Sequence, residues 1–294
     1  MNPRIVQRRC EACGGTDFRH LFAKDQHEFF RCRGCRLIRS DPQPTDAVLA
    51  NIYGRKYYDA WGVQTDADRV LQLKQSTFRK HVLGAVRLEK GARVLDCGAA
   101  FGALMLVARD LGLEPYGIEL AEDAAAEIRA RFGMNRVFSG PFERATFREL
   151  DIGSFDAVFM CDFIEHVRDP LAVFRKTAQL LRPGGQLVIT TPDGDSWSCR
   201  AMGRAWPHYK VEHLFFFSRR NIARLLQETG LIVTHSARAK KVLNLEYIRH
   251  QFNTYPRAFV TPVVNCLSRA VGERLRNRPT SFSLGEMIVV AAKK

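Results

Sequence analysis

The stretch "VLDCGAAFG" (94–102) runs from apolar residues into an acid, Asp96, and then into a turn of small residues. "YGIEL" (116–120) closes on a second acid, Glu119, 23 residues further on. The spacing Asp96-x-Gly98-x3-Gly102 is not the glycine fingerprint that seats a dinucleotide, whose pyrophosphate Asp96 would repel. A ligand bearing a sulfonium and an ammonium would instead be attracted. Glu119 stands where an acid can accept hydrogen bonds from both hydroxyls of a ribose. Asp96, Gly98, Gly102 and Glu119 together describe S-adenosylmethionine (SAM). The competing readings are a helix-capping acid for Asp96 and a solvated strand end for Glu119.

Two further segments carry groups suited to moving a methyl and a proton. In "CDFIEHV" (161–167), Cys161 and Asp162 leave a strand beside the adenosine and the methyl. Asp162, Glu165 and His166 share one helical face at i, i+3 and i+4; the spacing is also that of a capping-box-like helix start, the reading favoured here. In "WPHYKVEHLFFFS" (206–218), His213 is the candidate base, with Glu212 beside it to orient or tune it. Methyl transfer to a hydroxyl is an in-line displacement, so the protein must hold the nucleophile at attack distance and accept its proton. An imidazole titrating near neutrality suits the second task. Stacking of His213 in the aromatic cluster Phe215–Phe217 is the structural alternative, and His166 and Tyr209 are the reserve bases.

Four of the eight cysteines form two knuckles, Cys10-x2-Cys13 and Cys32-x2-Cys35, separated by 18 residues. Knuckles of this spacing bring four thiolates to the corners of a tetrahedron, and the "GG" and "RG" dipeptides permit the tight turns required. Four protein ligands leave no open position, so the Zn2+ expected here is structural.

These groups need a frame. "SDPQPT" marks a boundary near residue 41, and residues 45–90 read as helical. Beyond Gly91, short β-rich runs alternate with helical stretches: "ARVLDC", "PYGIEL", "RVFSG", "FDAVFMC" and "QLVITTP", then "LIVTHSA" and "GEMIVVAA". Such alternation implies βαβ units and an α/β parallel sheet covered by helices on both faces. The division expected is a zinc-ribbon-like module over 1–43, a helical cap or linker over 44–90, and a SAM-binding domain over 91–294 with an insertion at 240–283.

Composition limits the partners. The net charge of +14 sits on the two ends: residues 1–40 carry nine basic against four acidic residues, residues 238–294 eleven against three, and the middle is almost neutral. Solvated faces explain this as well as attraction of an anionic acceptor or surface does. No stretch reads as a membrane span or as a secretory signal, and the cysteine usage suits a reducing compartment, so a cytoplasmic location is expected. "FVTPVVNCLSRAVGERLRNR" (259–278) reads as core packing or as an amphipathic helix with a basic face able to touch a membrane. Nothing in the sequence fixes an oligomeric state.

"VLDCGAAFG", "GIEL", "FDAVFMCDFIEHVRDP", "LLRPGGQLVITTPD", "KVEHLFFFS" and "GEMIVVAAKK" resemble the successive motifs of class I SAM-dependent methyltransferases that carry an N-terminal zinc-binding module. The resemblance implies a Rossmann-like seven-stranded sheet whose last strand is antiparallel. It implies cofactor contacts from Leu120 beside Glu119 and from Tyr53 and Tyr57, which with Tyr58 precede the first strand where helices fold over the cofactor mouth. Core packing of these tyrosines is an equal reading. Ala100 departs from the pattern, since that position is often glycine. Related quinone methyltransferases carry a Glu-x2-Glu-His arrangement linked to a divalent cation, similar to 162–166.

The acceptor expected first is a small molecule, anionic or sugar-linked, methylated on a hydroxyl or carbon. The second expectation is O-methylation of a membrane-borne prenylated phenol, and the third is RNA methylation. Against nucleic acid, the fourth strand ends in "CDFI" rather than an Asn/Asp-Pro-Pro-aromatic turn, and the basic N-terminal residues lack a stacking-aromatic pattern. A non-catalytic zinc- and SAM-binding module is the remaining class.

Overall fold

The computed structural model describes residues 9–52, 63–146, 153–254 and 260–294. Near the N-terminus, β1 (Phe18–Lys24) and β2 (His27–Cys32) form an antiparallel hairpin, and β3 (Ile38–Ser40) adds to β2. Helices follow at Asp46–Ile52 and Val63–Thr77, the latter continuing into a π-helical turn at Phe78–Val82.

The β-rich runs then become the parallel strands β4 (Arg93–Cys97), β5 (Glu114–Glu119), β6 (Val137–Ser139), β7 (Phe155–Cys161) and β8 (Leu181–Pro192). β7 is buried along nearly its whole length, as a strand covered on both faces must be. Helices Ala103–Asp110, Glu122–Phe132 and Pro170–Leu180 connect the strands. The last of these starts where the Asp169 side chain accepts the Ala172 N–H and Pro170 occupies the first turn.

After β8 the chain leaves the large sheet. β9 (Phe215–Phe216) pairs with β3, Ile38 opposite Phe216 and Arg39 opposite Phe215, and completes a four-stranded sheet in the order β1-β2-β3-β9. Helix Arg219–Gln227 begins in a capping box between Ser218 and Asn221 and returns the chain to β10 (Leu231–Arg238). Two strands, β11 (Lys241–Leu243) and β12 (Thr280–Phe282), then pair with each other and carry the helices Leu245–Thr254, Val260–Ala270 and Glu273–Arg276 between them. Finally β13 (Glu286–Lys293) inserts antiparallel between β8 and β10, giving the order β10-β13-β8-β7-β4-β5-β6.

This is the seven-stranded Rossmann-like α/β sheet expected, with its last strand antiparallel. Strand order reverses between β4 and β7, so the carboxyl ends of those two strands frame the crevice where such sheets bind ligands. Two contacts brace one wall of it: Thr77 Oγ1 accepts the Val242 N–H at 2.8 Å, and His81 Nε2 and Ser281 Oγ lie 2.9 Å apart. The 240–283 insertion is thereby tied to the helical segment that precedes β4.

The N-terminal segment is less separate than a module over 1–43 suggests. Its sheet borrows β9 from the domain that follows. Cys10, Cys32, Cys35 and Leu37 pack in one core with Leu214, Phe215, Phe217 and Ile222. Among the described residues no helix is long and apolar enough to cross a membrane.

Candidate active site and metal centre

β4 ends at the acid-and-glycine turn. The Gly98 and Ala99 N–H groups both donate to the Ile118 carbonyl, at 2.8 and 2.9 Å, which locks the turn against the end of β5. Gly98 has φ +77°, and a Cβ there would come within 3.2 Å of the Phe163 ring. Ala100 adopts the left-handed region (φ +47°), the conformation that makes glycine common at such a position. Its N–H donates to Glu119 Oε2 at 2.8 Å, while Glu119 Oε1 accepts the Ala121 N–H at 2.9 Å. Gly102, also left-handed, starts the Ala103–Asp110 helix.

Glu119 is therefore neither a solvated strand end nor a carboxylate facing open space. It is 5 % exposed and holds the turn by both oxygens. A carboxylate has about four acceptor sites, more than these two bonds use, which is the chemistry a ribose diol needs. Asp96 is buried, and desolvation, helped by the neighbouring Glu119 charge, pushes its pKa up to about 7 against the pull of Lys74. Lys74 is pulled down to about 7 by its own desolvation, opposed by Asp162 and Asp96. A left-handed turn of small residues flanked by two buried acids fits a cationic nucleoside ligand. Leu120 follows Glu119 as an exposed apolar side chain. Tyr53 and Tyr57 lie outside the described residues.

At the end of β7, Cys161 is half-buried and Asp162 takes φ +52°. The expected helix start fails here. Ile164–His166 form a single 3-10 turn whose N-cap, Phe163, makes no side-chain cap. Asp162 consequently pairs with Lys241, while a ligand atom of Glu165 and one of His166 stay close to each other. Asp162 Oδ2 accepts from Lys241 Nζ at 2.8 Å, and the same ammonium reaches Glu286 Oε1 at 2.6 Å. Desolvation works against the Asp162 charge, but Lys241 outweighs it and holds the carboxyl below its usual range. Asp162 Oδ1 is buried without a hydrogen-bond partner among the described residues. Lys74, Lys241 and Glu286 went unread in the sequence, because only the long-range packing of the 63–77 helix, β11 and β13 brings them together.

Glu165 turns inward and accepts from Thr191 Oγ1 at 2.9 Å, leaving Oε1 buried and unpartnered. His166 packs edge-on to His213 with ring centroids 4.8 Å apart. One ligand atom each from Glu165, His166 and His213 lies within 4.8 Å of the other two. His166 Nδ1 sits 3.0 Å from the Glu212 carbonyl, a contact that assigns the proton to Nδ1. Burial pushes His166 down to about 4 and His213 well below its ordinary value, the latter helped by His166. Burial likewise pushes Glu165 well above the usual carboxyl range, with Asp162 adding to it. His213 Nδ1 is buried and unpartnered. Glu212 acts through its backbone on His166, and its carboxylate lies 3.9 Å from Lys210 rather than on His213.

His213 also lies 6.0 Å from the Phe216 ring, so the stacking and site readings coexist. Tyr209 is different. Its ring packs among Phe22, Phe29, Trp206 and Phe216, its hydroxyl lies 3.5 Å from Cys199 Sγ, and desolvation drives its pKa up. Tyr209 belongs to the aromatic core beneath the small sheet, which corrects its place among the reserve bases.

Cys10, Cys13, Cys32 and Cys35 converge, with Cys10 Sγ 3.4 Å from Cys35 Sγ and Cys13 Sγ 3.5 Å from Cys32 Sγ. The backbone turns tightly at both knuckles: Gly14 N–H donates to the Cys10 carbonyl at 2.8 Å and Arg36 N–H to that of Cys32 at 2.9 Å. The Cys35 side chain and desolvation hold the Cys10 thiol above its ordinary value, and a tetrahedral Zn2+ would stabilise the four residues as thiolates.

Comparison with known proteins bears on the site as a whole. Residues 69–236 match the family described as "Methyltransferase domain". The chain is 32 % identical over 152 residues to the ubiquinone biosynthesis O-methyltransferase of Xanthomonas oryzae pv. oryzae (strain PXO99A), covering 44 % of this chain and 63 % of that one. It is 31 % identical over 176 residues to the enzyme of the same name from Xanthomonas axonopodis pv. citri (strain 306), covering 51 % and 70 %. The chain thus spans less than two thirds of the first of these relatives. In fold it resembles the YcgJ protein from Bacillus subtilis (TM-score 0.52, 16 % identity, 76 % of this chain and 99 % of that one). It also resembles a SAM-dependent methyltransferase from Thermotoga maritima (TM-score 0.50, 17 % identity, 81 % and 100 %). With the acid-and-glycine turn at the switch point of a seven-stranded sheet, these matches establish that the chain belongs to the methyltransferase-domain family of class I, SAM-dependent architecture.

Proposed function

We propose that the chain is a SAM-dependent O-methyltransferase whose acceptor is a phenolic hydroxyl on an apolar, membrane-borne ring. The observation that carries this reading is the set of buried atoms without partners beside the cofactor strands: Glu165 Oε1, His213 Nδ1 and Asp162 Oδ1. Buried polar atoms are ordinarily satisfied, and a bound hydroxyl is what such a wall lacks. When bound, SAM supplies an electrophilic methyl group on a sulfonium and departs as the neutral thioether.

The chain's part is to align the hydroxyl and take its proton. Burial keeps His213 neutral at physiological pH, so Nδ1 is available to accept the proton as the oxygen–methyl bond forms. Asp96 and Glu119 are assigned to the cofactor, with Gly98, Ala100, Gly102, Leu120, Cys161 and Asp162 lining it. Tyr53 and Tyr57 keep the cofactor role that the family resemblance implies.

A phenol is favoured because the curated relatives named above are O-methyltransferases of ubiquinone biosynthesis rather than sugar-modifying enzymes. The Val260–Ala270 helix supports a membrane-borne one. Val263 and Leu267 on it are 56 % and 53 % exposed, and Leu275 just beyond is 61 % exposed, amid Arg269, Arg274, Arg276 and Arg278. Its occupant would be an anionic lipid surface.

A second reading of the same wall is favoured by the clustering of Glu165, His166 and His213. Neutral imidazoles and one acid within 4.8 Å suit a divalent cation, which would polarise the acceptor hydroxyl. The deciding experiment incubates purified protein and SAM with prenylated catechols, nucleotide sugars and RNA, and follows methyl incorporation by mass. Methylation of the catechol alone, abolished in His213→Ala, supports the reading. Transfer only to a nucleotide sugar or to RNA, or full turnover by His213→Ala, would overturn it. A rate lost to a chelator while zinc is retained in the four-cysteine knuckle, and restored by a divalent cation, would select the cation over the free base.

A further inference from the structure

The four-cysteine centre and the Glu165–His213 wall are joined by a short run of buried hydrogen bonds. Asn221, 1 % exposed, donates from Nδ2 to the Cys35 carbonyl at 2.9 Å. Its Oδ1 accepts from the Ser218 N–H at 3.0 Å and from Ser218 Oγ at 2.9 Å. One amide thus fixes the backbone of a metal-ligand residue to the residue that ends the 213–218 stretch. That stretch is held along both edges. On one side β9 pairs with β3, and the Ser40 N–H donates to the Leu214 carbonyl at 3.1 Å; on the other the Leu214 N–H donates to the Glu165 carbonyl at 2.8 Å.

His213 begins this strip, and Glu165 is bonded to its second residue. Neither can keep its place if the strip shifts. A helix cap alone would need only the Ser218–Asn221 exchange. The bond to Cys35 is additional, and it uses the one donor that a carboxylate in the same place would lack.

We propose that Asn221 is a positioning residue that transmits the geometry of the four-cysteine knuckle to the His213–Glu165 wall, so that metal in the knuckle sets the acceptor site. This rests on the reading of that wall as the acceptor site, and on the fit of the four thiols to Zn2+. The role is separable from cofactor binding, because Asp96, Glu119 and the glycine turn hang from β4 and β5, which belong to the large sheet and share no strand pairing with β9.

The test compares wild type, zinc-stripped wild type and Asn221→Asp, a near-isostere that keeps an acceptor for the Ser218 contacts and replaces the donor to Cys35 by a carboxylate oxygen that the Cys35 carbonyl repels. Three quantities are read: zinc per chain, SAM affinity by calorimetry, and the imidazole NMR signals of His166 and His213. The expected result is that Asn221→Asp retains zinc and SAM affinity within twofold while its His213 signals move to those of the zinc-stripped protein. With an acceptor in hand, kcat falls roughly tenfold, as removal of a supporting hydrogen bond often gives, and KM for SAM is unchanged. His213 signals indifferent both to zinc and to Asn221→Asp would overturn the proposal. Loss of SAM binding in both altered proteins would also overturn it, by making the knuckle a folding element. The NMR and calorimetric readings need no turnover, so a wrong acceptor would not be mistaken for failure of the coupling.

Discussion

Asp162 and Glu286, on segments 124 residues apart in sequence, share one ammonium: Lys241 Nζ lies 2.8 Å from the first and 2.6 Å from the second. The contact pins the start of the 240–283 insertion to the ends of β7 and β13, so the insertion's base is part of the cofactor crevice rather than an appendage to it.

Replacing Lys241 by Met would leave two carboxylates without the ammonium they share. Glu286 is nearly buried, whereas Lys241 and Asp162 are each a little under a third exposed. The expected loss is about 2 kcal/mol, below the ~3–5 kcal/mol seen when a fully buried pair is broken. Urea denaturation measures it. The triple change Lys241→Met, Asp162→Asn, Glu286→Gln should recover most of the stability; if it does not, the ion pairs are not what the lysine supplies.

SAM affinity should climb as pH rises through about 7. Below that pH Asp96 is protonated and Lys74 charged, which repels a sulfonium; above it Asp96 is ionised and Lys74 neutral, so both changes act in the same direction. Binding below pH 7 therefore expels protons. In the ligand-free protein the raised Asp96 pKa makes stability fall between about pH 4 and 7, and the lowered Lys74 pKa makes it rise from about 7 toward 10. Calorimetry in buffers of different ionisation enthalpy would count the protons. Asp96→Asn should flatten the rise, and a profile as steep in that variant would exclude Asp96 as its source.

Ala100→Gly relieves a left-handed alanine. That conformation costs about 1–2 kcal/mol for a residue with a Cβ, and glycine's greater freedom in the unfolded chain returns up to about 1 kcal/mol of it. A net stabilisation of at most about 1 kcal/mol is expected in a thermal melt. The Ala100 N–H bond to Glu119 should survive, because the backbone need not move.

Val263→Asp with Leu267→Asp should abolish sedimentation with vesicles containing phosphatidylglycerol, while rates on a detergent-solubilised acceptor stay near wild type. Wild-type protein that ignores such vesicles at low salt would remove the membrane from the proposal.

The sequence carried the sheet because its signals are local. Each buried strand is a short apolar run next to a helical stretch, and the acid-and-glycine turn is read within nine residues. The position of Asp96 and Glu119 at the ends of two neighbouring strands followed from the same runs. What escaped depends on long-range pairing. Lys241 gives no sign of its partners at 162 and 286, nor Phe215–Phe216 of the strand 39 residues from the N-terminus that it joins. The acids and histidine of "DFIEHV" looked like one helical face only if a helix followed Asp162. The left-handed Asp162 and the single 3-10 turn split them, sending Asp162 to Lys241 and Glu165 to Thr191. Tyr209 stood among the reserve bases for its phenol, but its ring packs in the aromatic core.

Phe215 and Phe216 close the small sheet while lying next to His213 in the chain. A protein trimmed to begin at the helical segment would expose the backbone of those two phenylalanines along an uncovered margin, inviting self-association before any question of turnover arose. Transplanting this catalytic half into another scaffold would demand a replacement strand for that margin.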